Sequence, residues 1–316
     1  MSKSKVSIIG AGGNVGSIVA YSIAMQGLAH EVILVDRDIQ RAKGKALDMN
    51  QAAAALRSHS VVKAAETYED VRDSSVVVIT AGFPRKEGMS RDDLLMKNAD
   101  VMKDIISNVK EVAPEAILVI VTNPLDTMTY LAIKESGFAP NRVIGMAGIL
   151  DGARMTHFIH EKLGYGAGQI RATVIGGHGD YMVPLIRYST VAGIPLTDLL
   201  NYEDISDIIN RTKNGGAEIV DLLGTSAYFA PGKATAIMVE SILKDSKKIY
   251  PCATLLNGEY GYKDVVNGVP VMLGRDGVEK VIEVSLNETE KAQFARSVES
   301  VQTLIDVLRK NDYIKD

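Results

Sequence analysis

Short apolar runs in the first half of the chain are separated by segments whose apolar residues have helical spacing. Apart from Ser7 in the first run, the runs are uninterrupted rather than alternating, which is typical of strands buried on both faces of a parallel sheet. They cover residues 6–9, 32–35, 61–62, 76–79, 117–121 and 143–145. Strands that alternate with helices in this way predict an α/β fold with a doubly wound parallel sheet.

The pattern changes beyond residue 146, where strands and helices no longer alternate regularly. Helices are predicted over residues 150–163, 200–223, 232–247 and 288–309, and strands over 172–175, 249–255 and 269–273. The length of 316 residues fits two domains that share an interface. We therefore predict a dinucleotide-binding domain over residues 1–146 and a mixed α+β substrate domain over residues 147–316.

A glycine-rich turn, G-A-G-G-N-V-G, lies between the first predicted strand and the first predicted helix. At such a position, the free N–H groups and the positive dipole end of the helix can bind a phosphate. In a Rossmann-type domain the glycines allow a tight turn, close approach to the pyrophosphate and close packing of helix on strand. The candidate cofactor-binding residues here are Gly10, Gly12, Gly13, Asn14, Val15 and Gly16.

Asp36 ends the second predicted strand, about 20 residues beyond the last glycine of the turn. A carboxylate at this position can accept hydrogen bonds from the ribose of adenosine. It would also repel a phosphate group on that ribose, although Arg37 beside it weakens the discrimination. The predicted cofactor is therefore NAD rather than NADP.

Two further segments follow strands of the predicted sheet, where ligands of α/β proteins bind. The first, A-G-F-P-R-K-E-G-M-S-R-D-D-L-L, contains glycines and a proline suited to a mobile lid. It places Arg85 in the loop and Arg91 in the first turn of a helix that the S-x-x-D capping signal predicts. The second contains Asn123, whose amide can bond a substrate hydroxyl group.

His178 follows another predicted strand and is flanked by glycines in G-G-H-G-D, which leaves the imidazole open to approach. Asp151 and Arg154 are three residues apart on one predicted helical face, so they could simply pair with each other. These residue types beside a predicted dinucleotide-binding fold suggest hydride transfer. In that reaction a histidine can move the proton, because its pKa lies near the working pH. A carboxylate favours the charged imidazole, and an arginine can bind a substrate carboxylate through two parallel hydrogen bonds.

These motifs together resemble those of the lactate/malate dehydrogenase family over essentially the whole chain. The resemblance is carried, in the family's order, by G-A-G-G-N-V-G, V-D, A-G-F-P-R-K-E-G-M-S-R-D-D-L, T-N-P-L-D, L-D-G-A-R and G-G-H-G-D. It implies that His178 accepts and donates the proton, with Asp151 as its partner. It also implies that Arg154 and Asn123 bind the substrate and that Arg91 polarises its carbonyl group.

The resemblance further implies which groups contact NAD and which substrate is used. Asn98 and the segment Val121, Thr122 and Asn123 would contact the cofactor. Arg85 occupies the loop position that is arginine in members acting on malate and typically glutamine in members acting on lactate. The implied reaction is therefore reversible hydride transfer between (S)-malate or oxaloacetate and NAD.

Composition excludes several other classes of partner. Lys and Arg number 35 against 39 Asp and Glu, a net charge of −4, which offers no basic surface for nucleic acid. No apolar run is long enough to span a membrane, and no metal site is predicted. The single cysteine, Cys252, and a first segment without a leader pattern predict a cytoplasmic protein. The resemblance implies a homodimer or a homotetramer.

Three other interpretations remain open from the residues. Tyr130 and Lys134 form Y-x-x-x-K, the pair that short-chain dehydrogenases use, although we expect both on the polar face of a helix. A methyltransferase that uses S-adenosylmethionine also combines a glycine turn with an acidic strand end, but it needs no His178. A non-enzymatic regulator that senses NAD would bind the cofactor without turnover.

Overall fold

The computed structural model describes residues 4–84 and 91–314, and at residue 91 it describes the backbone alone. The strands in these ranges are β1 (Lys5–Ile9), β2 (Glu31–Val35), β3 (Val61–Ala64), β4 (Val76–Ile79), β5 (Ile117–Ile120), β6 (Val143–Gly145), β7 (Ile170–Arg171), β8 (Val174–Ile175), β9 (Val183–Pro184), β10 (Thr190–Val191), β11 (Ile194–Pro195), β12 (Lys248–Asn257), β13 (Lys263–Gly274) and β14 (Gly277–Val281). The α-helices there are α1 (Asn14–Met25), α2 (Ile39–Ala55), α3 (Arg91–Val112), α4 (Leu125–Ser136), α5 (Gly148–Leu163), α6 (Tyr202–Leu223), α7 (Phe229–Leu243) and α8 (Glu288–Lys310).

The central sheet has nine strands in the order β14-β13-β12-β6-β5-β4-β1-β2-β3. Strands β1 to β6 are parallel, so the predicted doubly wound α/β sheet is confirmed. In the register of β1, Ile9 is paired with Val35 on one side and with Ile79 on the other. The three strands therefore end at one level, and the loops after them meet at the same edge of the sheet.

Strand β3 differs from its prediction as a strand buried on both faces. It is the edge strand and pairs only with β2 in the described sheet, and Val61 is 40% exposed while Val62 is buried. An edge strand lacks a neighbour on one side, so a run of two valines does not require burial of both.

The second half of the chain extends the first sheet. Strand β12 pairs antiparallel with β6 through Ala253 and Gly145, and β13 and β14 continue outward from it. A Cβ atom on Gly145 would lie 2.8 Å from that of Ala253, so the glycine permits this close pairing. The sequence pattern did not predict that β12 pairs with β6, since this pairing depends on two residues that lie far apart in the chain. The boundary at residue 146 stays a prediction.

Two hydrophobic cores lie within the described residues. The larger one packs helices of both halves against the sheet and includes Ile144, Ala253 and Phe294. The smaller one lies between α5 and α6 and the short strands β7, β8 and β10. Cys252 is buried in β12, where burial raises the pKa of its thiol to about 12, as expected for an inert cysteine. No helix of the described chain has the length and apolar character to cross a membrane.

Candidate active site

Three glycines of the turn after β1 occupy positions where a side chain would collide. Gly10 has φ +87°, and a Cβ atom there would lie 2.6 Å from the amide nitrogen of Ala81. A Cβ atom on Gly16 would lie 2.6 Å from the carbonyl oxygen of Gly10. The N–H of Gly12 donates to Oδ2 of Asp36 at 2.7 Å, and a Cβ atom on Gly12 would overlap that carboxylate. The glycine turn and the acidic strand end thus form one unit.

The geometry of this unit suits a dinucleotide. Gly13 is the N-cap of α1, and among the described residues no side chain caps this helix end. The first-turn N–H groups at Asn14 and Val15 can therefore bind an anion at the positive end of the helix dipole. Asn14 is exposed beside the turn, while Val15 is half-buried and lines the cleft described below.

Lys45 on α2 contacts the glycine turn, although no motif in the sequence pointed to this residue. Its Nζ donates to the carbonyl oxygen of Gly12 at 2.8 Å and contacts Oγ of Ser17. Burial and the charge of Arg41 lower the pKa of Lys45, against the opposing charge of Asp36. The contact joins residues 33 positions apart, so no local spacing could have predicted it.

Asp151 bridges two of the predicted site residues. Its Oδ2 lies 3.0 Å from Nδ1 of His178, and its Oδ1 accepts from Nη1 of Arg154 at 3.1 Å. The carboxylate is 1% exposed, whereas the side chains of His178 and Arg154 are 15% and 14% exposed. The predicted pairing of Asp151 with Arg154 and its predicted contact with His178 therefore both occur.

The electrostatic environment of His178 favours the protonated imidazole. Burial lowers the pKa of His178, but the charge and the hydrogen bond of Asp151 together outweigh burial. The charge of Arg154 also lowers this pKa, while that of Asp126 raises it. The net effect is a pKa above the ordinary value of 6.5. The imidazole can therefore carry a proton that it could donate near neutral pH.

The backbone that carries His178 is fixed by side chains from two other helices. Oδ2 of Asp126 on α4 accepts the N–H of His178 at 2.9 Å. Oγ of Ser297 on α8 accepts the N–H of Gly177 at 2.6 Å. Asp126 lies in the T-N-P-L-D motif, but no signal in the sequence indicated its partner or the role of Ser297, because only the tertiary fold brings these segments together.

Asn98 and Thr122 are buried and bind main-chain groups. Oδ1 of Asn98 accepts from the N–H of Phe83 at 2.7 Å, and its Nδ2 donates to the carbonyl oxygen of Asn123 at 2.7 Å. Oγ1 of Thr122 donates to the carbonyl oxygen of Ala81 at 2.7 Å. Both side chains thus join the loops after β4 and β5. The predicted contact of Asn98 with the cofactor stays a prediction.

A cleft of about 970 Å³ brings five of the predicted residues together. Its volume lies in the range of cavities that hold small organic ligands. It opens at the carboxyl edge of the parallel strands, and residues predicted for both cofactor and substrate line it. These are Val15, Val121, Asn123, Arg154 and His178. Arg85 lies outside the described residues, as does the side chain of Arg91, whose backbone begins α3.

Tyr130 and Lys134 do not line this cleft. The hydroxyl of Tyr130 donates to Oδ2 of Asp264 at 2.9 Å, and Nζ of Lys134 lies 3.0 Å from Oδ1 of the same residue. The expectation that both lie on a polar face was wrong for Tyr130, which is 0% exposed because β13 and α8 pack against α4. This pair therefore binds Asp264 away from the cleft. Within the described ranges, no group of three or more His, Cys, Asp or Glu residues could bind a metal ion.

Comparison with known proteins gives matches along almost the whole chain. Residues 4–145 match the family model of the lactate/malate dehydrogenase NAD binding domain, and residues 149–311 match that of the alpha/beta C-terminal domain. The chain is 72% identical over 310 residues to a protein named malate dehydrogenase from a Nitratiruptor species, covering 98% of each.

Solved structures agree with these matches. The 1.55 Å structure of malate dehydrogenase from Salinibacter ruber is 47% identical, with a TM-score of 0.93 over 97% of this chain and 98% of that one. The structure of lactate dehydrogenase from Cryptosporidium parvum, complexed with lactic acid and nicotinamide adenine dinucleotide, is 37% identical. Its TM-score is 0.94 over 98% of this chain and 99% of that one. The predicted resemblance and the predicted NAD cofactor are confirmed: the chain belongs to the lactate/malate dehydrogenase family.

Proposed function

We propose that the protein is an NAD-dependent malate dehydrogenase that interconverts (S)-malate and oxaloacetate. The observation that carries the proposal is the hydrogen-bonded series His178–Asp151–Arg154, which reaches a cleft also lined by Val15 of the glycine turn. The name of the relative at 72% identity supports malate as the substrate. NAD, when bound, supplies the hydride acceptor for malate and the hydride donor for oxaloacetate.

His178 moves the proton in this proposal. Because Nδ1 faces Asp151, the other ring nitrogen, Nε2, is free to face the substrate oxygen. In oxaloacetate reduction, Nε2 donates its proton to the keto oxygen as the keto carbon gains hydride, and the C=O group becomes CH–OH. In malate oxidation, neutral His178 takes the hydroxyl proton. Asp151 orients the ring and stabilises its charged form throughout.

Arg154 and Asn123 bind the substrate. A guanidinium has five N–H donors, so the bond from Arg154 to Asp151 leaves donors for the carboxylate beside the reacting carbon. Asn123 is exposed in the same cleft, and its amide can bond the substrate oxygen. Arg91, in the first turn of α3, would polarise the carbonyl group as negative charge develops on its oxygen.

Arg85 determines the choice between malate and lactate in this proposal. Oxaloacetate has a second carboxylate that must be neutralised once a lid excludes water. Pyruvate has a methyl group there and would leave the arginine unpaired, at a cost of roughly 3–5 kcal/mol for a buried ion without its partner. We therefore expect oxaloacetate to be preferred over pyruvate by about a hundredfold or more in kcat/KM.

The test measures NADH oxidation through the change in absorbance, with oxaloacetate and pyruvate compared side by side. The unchanged protein should prefer oxaloacetate, and Arg85→Gln should shift the kcat/KM ratio toward pyruvate. Lys86→Gln is the matched control, because it removes a charge from the adjacent residue and should leave the ratio unchanged. An unchanged kcat/KM ratio in Arg85→Gln refutes the proposal that Arg85 selects the substrate. Absence of turnover with either acid refutes the proposed function.

The interpretation as an NAD-sensing regulator makes the opposite prediction for turnover. Such a regulator would bind NADH, enhance its fluorescence and oxidise none of it with either acid. The buried carboxylate against the His178 imidazole favours the enzyme, because a binding module gains nothing from a proton donor with a raised pKa. Assembly as a homodimer or homotetramer and residence in the cytoplasm complete the proposal, and light scattering after gel filtration tests the assembly.

A further inference from the structure

Asp126 lies directly behind His178 and has no role in the proton transfer described above. It is in the first turn of α4, is 5% exposed, and its Oδ2 accepts the main-chain N–H of His178 at 2.9 Å. A Cβ atom on Gly177 would lie 3.1 Å from this Oδ2, so the glycine before His178 permits the close approach. The carboxylate thus lies against the main chain at the histidine itself.

The second oxygen of Asp126 makes the role of a simple structural tether costly. Oδ1 is buried and has no hydrogen-bond partner among the described residues. A buried carboxylate with an unpaired oxygen costs more free energy than the neutral amide of asparagine, which could accept the same N–H. If this residue only held the main chain of His178, asparagine would therefore cost less free energy. The negative charge of Asp126 thus requires a separate explanation.

The charges around Asp126 supply that explanation. His178, on the loop after β8, and Asp151, on α5, are the charged groups that act on it, and Asp180 lines the same 350 Å³ pocket. Ser297 on α8 faces Gly177 and contributes only a hydroxyl. Asp126, Asp151, Arg154 and protonated His178 together carry two negative and two positive charges. With neutral His178, the same four groups have one uncompensated negative charge.

We propose that Asp126 is a positioning residue for His178, which fixes its main chain and, together with Asp151, compensates the positive charge of the protonated imidazole. Its role in catalysis rests on the proposed function. Burial raises the pKa of Asp126 to about 6, against the hydrogen bond and the charge of His178. Asp126 and His178 interact electrostatically, so the protonation of each group should affect the pKa of the other.

Two substitutions separate the charge from the tether. Asp126→Asn removes the charge and keeps an oxygen that can accept the His178 N–H, whereas Asp126→Ala removes both. Asp207→Asn is the matched control, because it makes the same chemical change on the exposed surface of α6. The main readout is the pKa of the His178 imidazole, measured by NMR on histidine-labelled protein and assigned by loss of the signal in His178→Asn.

In Asp126→Asn the pKa of His178 should fall by about half a unit or more, because an attractive charge is lost while burial remains. Oxaloacetate reduction should then lose kcat at lower pH than in the unchanged protein, with little change in KM. In Asp126→Ala, kcat should fall roughly tenfold or more at every pH, since the main chain at His178 is no longer fixed. Asp207→Asn should match the unchanged protein.

An imidazole pKa in Asp126→Asn equal to that of Asp207→Asn overturns the charge role, and unchanged kcat in Asp126→Ala overturns the tether. If neither Asp126 variant folds, NMR titration of the unchanged protein tests the proposal. Its His178 resonance should then show a second inflection where Asp126 titrates, and a single inflection refutes the proposal. These titrations need no substrate, so a protein inactive on oxaloacetate would refute the proposed function and leave them readable.

Discussion

A Cβ atom on Gly268 would lie 2.2 Å from the carbonyl oxygen of Gly176, so β13 and the loop that carries His178 are in direct main-chain contact. The N–H of Gly176 also donates to the carbonyl oxygen of Gly268 at 2.8 Å. A glycine in the middle of a long strand thus permits the close approach of the loop that carries His178.

Gly268→Ala should therefore displace His178 and reduce activity. A misplacement of about 1 Å can cost a hundredfold in rate, so we expect kcat for oxaloacetate reduction to fall by at least tenfold. NADH binding should change less, because the glycine turn lies at another part of the cleft. Gly168→Ala is the control, since no atom lies within 4 Å of its added Cβ position. Equal kcat in the two variants would contradict the prediction.

Asp151→Asn should move the pH dependence of both reaction directions downward. Without the carboxylate, burial dominates and the pKa of His178 falls. Reduction needs the protonated imidazole, so its loss with rising pH should begin at lower pH. Oxidation needs the neutral imidazole, so its rise should also begin at lower pH. Profiles of kcat/KM against pH test this.

The exposed Asp198 provides the control for that experiment, because Asp198→Asn makes the same chemical change on the surface. Its two pH profiles should coincide with those of the unchanged protein. Profiles of Asp151→Asn that also coincide would mean that another group moves the proton.

Asp36→Ser should weaken the discrimination between NADH and NADPH. The carboxylate accepts the N–H of Gly12 and lies where a ribose phosphate would be repelled, while Arg37 could attract that phosphate. We expect the ratio of kcat/KM for NADH over NADPH to fall by roughly tenfold or more, equivalent to about 1.4 kcal/mol. Asp48→Ser, on the exposed face of α2, should leave the ratio unchanged. A constant ratio in Asp36→Ser would show that another group excludes NADPH.

Lys45→Met should weaken NADH binding with little effect on kcat. The ammonium contacts two carbonyl groups of the glycine turn, and loss of about 1–2 kcal/mol from such charged hydrogen bonds would raise the Kd roughly 5- to 30-fold. Fluorescence titration with NADH measures this directly. Lys43→Met is the control, since Lys43 pairs with Glu66 on the surface. Equal Kd values in both variants would mean that the turn keeps its shape without Lys45.

The elements that the sequence predicted well are those with local causes. The apolar runs at β2, β4 and β5 gave parallel buried strands, because a strand covered on both faces is typically apolar at consecutive positions. Helix α8 spans Glu288–Lys310, close to the range 288–309 that helical spacing predicted. Prediction failed where neighbouring elements determine the burial of a residue. Strand β3 is an edge strand, and Tyr130 is buried under other elements.

By itself the sequence determined the glycine turn, the acidic end of β2 and the candidate triad His178, Asp151 and Arg154, because motif spacing and residue chemistry are local properties. Only the tertiary structure decided that the Asp151 carboxylate contacts both His178 and Arg154. It also decided that Lys45 contacts the glycine turn and that Asp126 lies behind His178. Contacts of this kind join segments distant along the chain. Their energies depend on burial and on neighbouring charges, which exist only once the chain has folded.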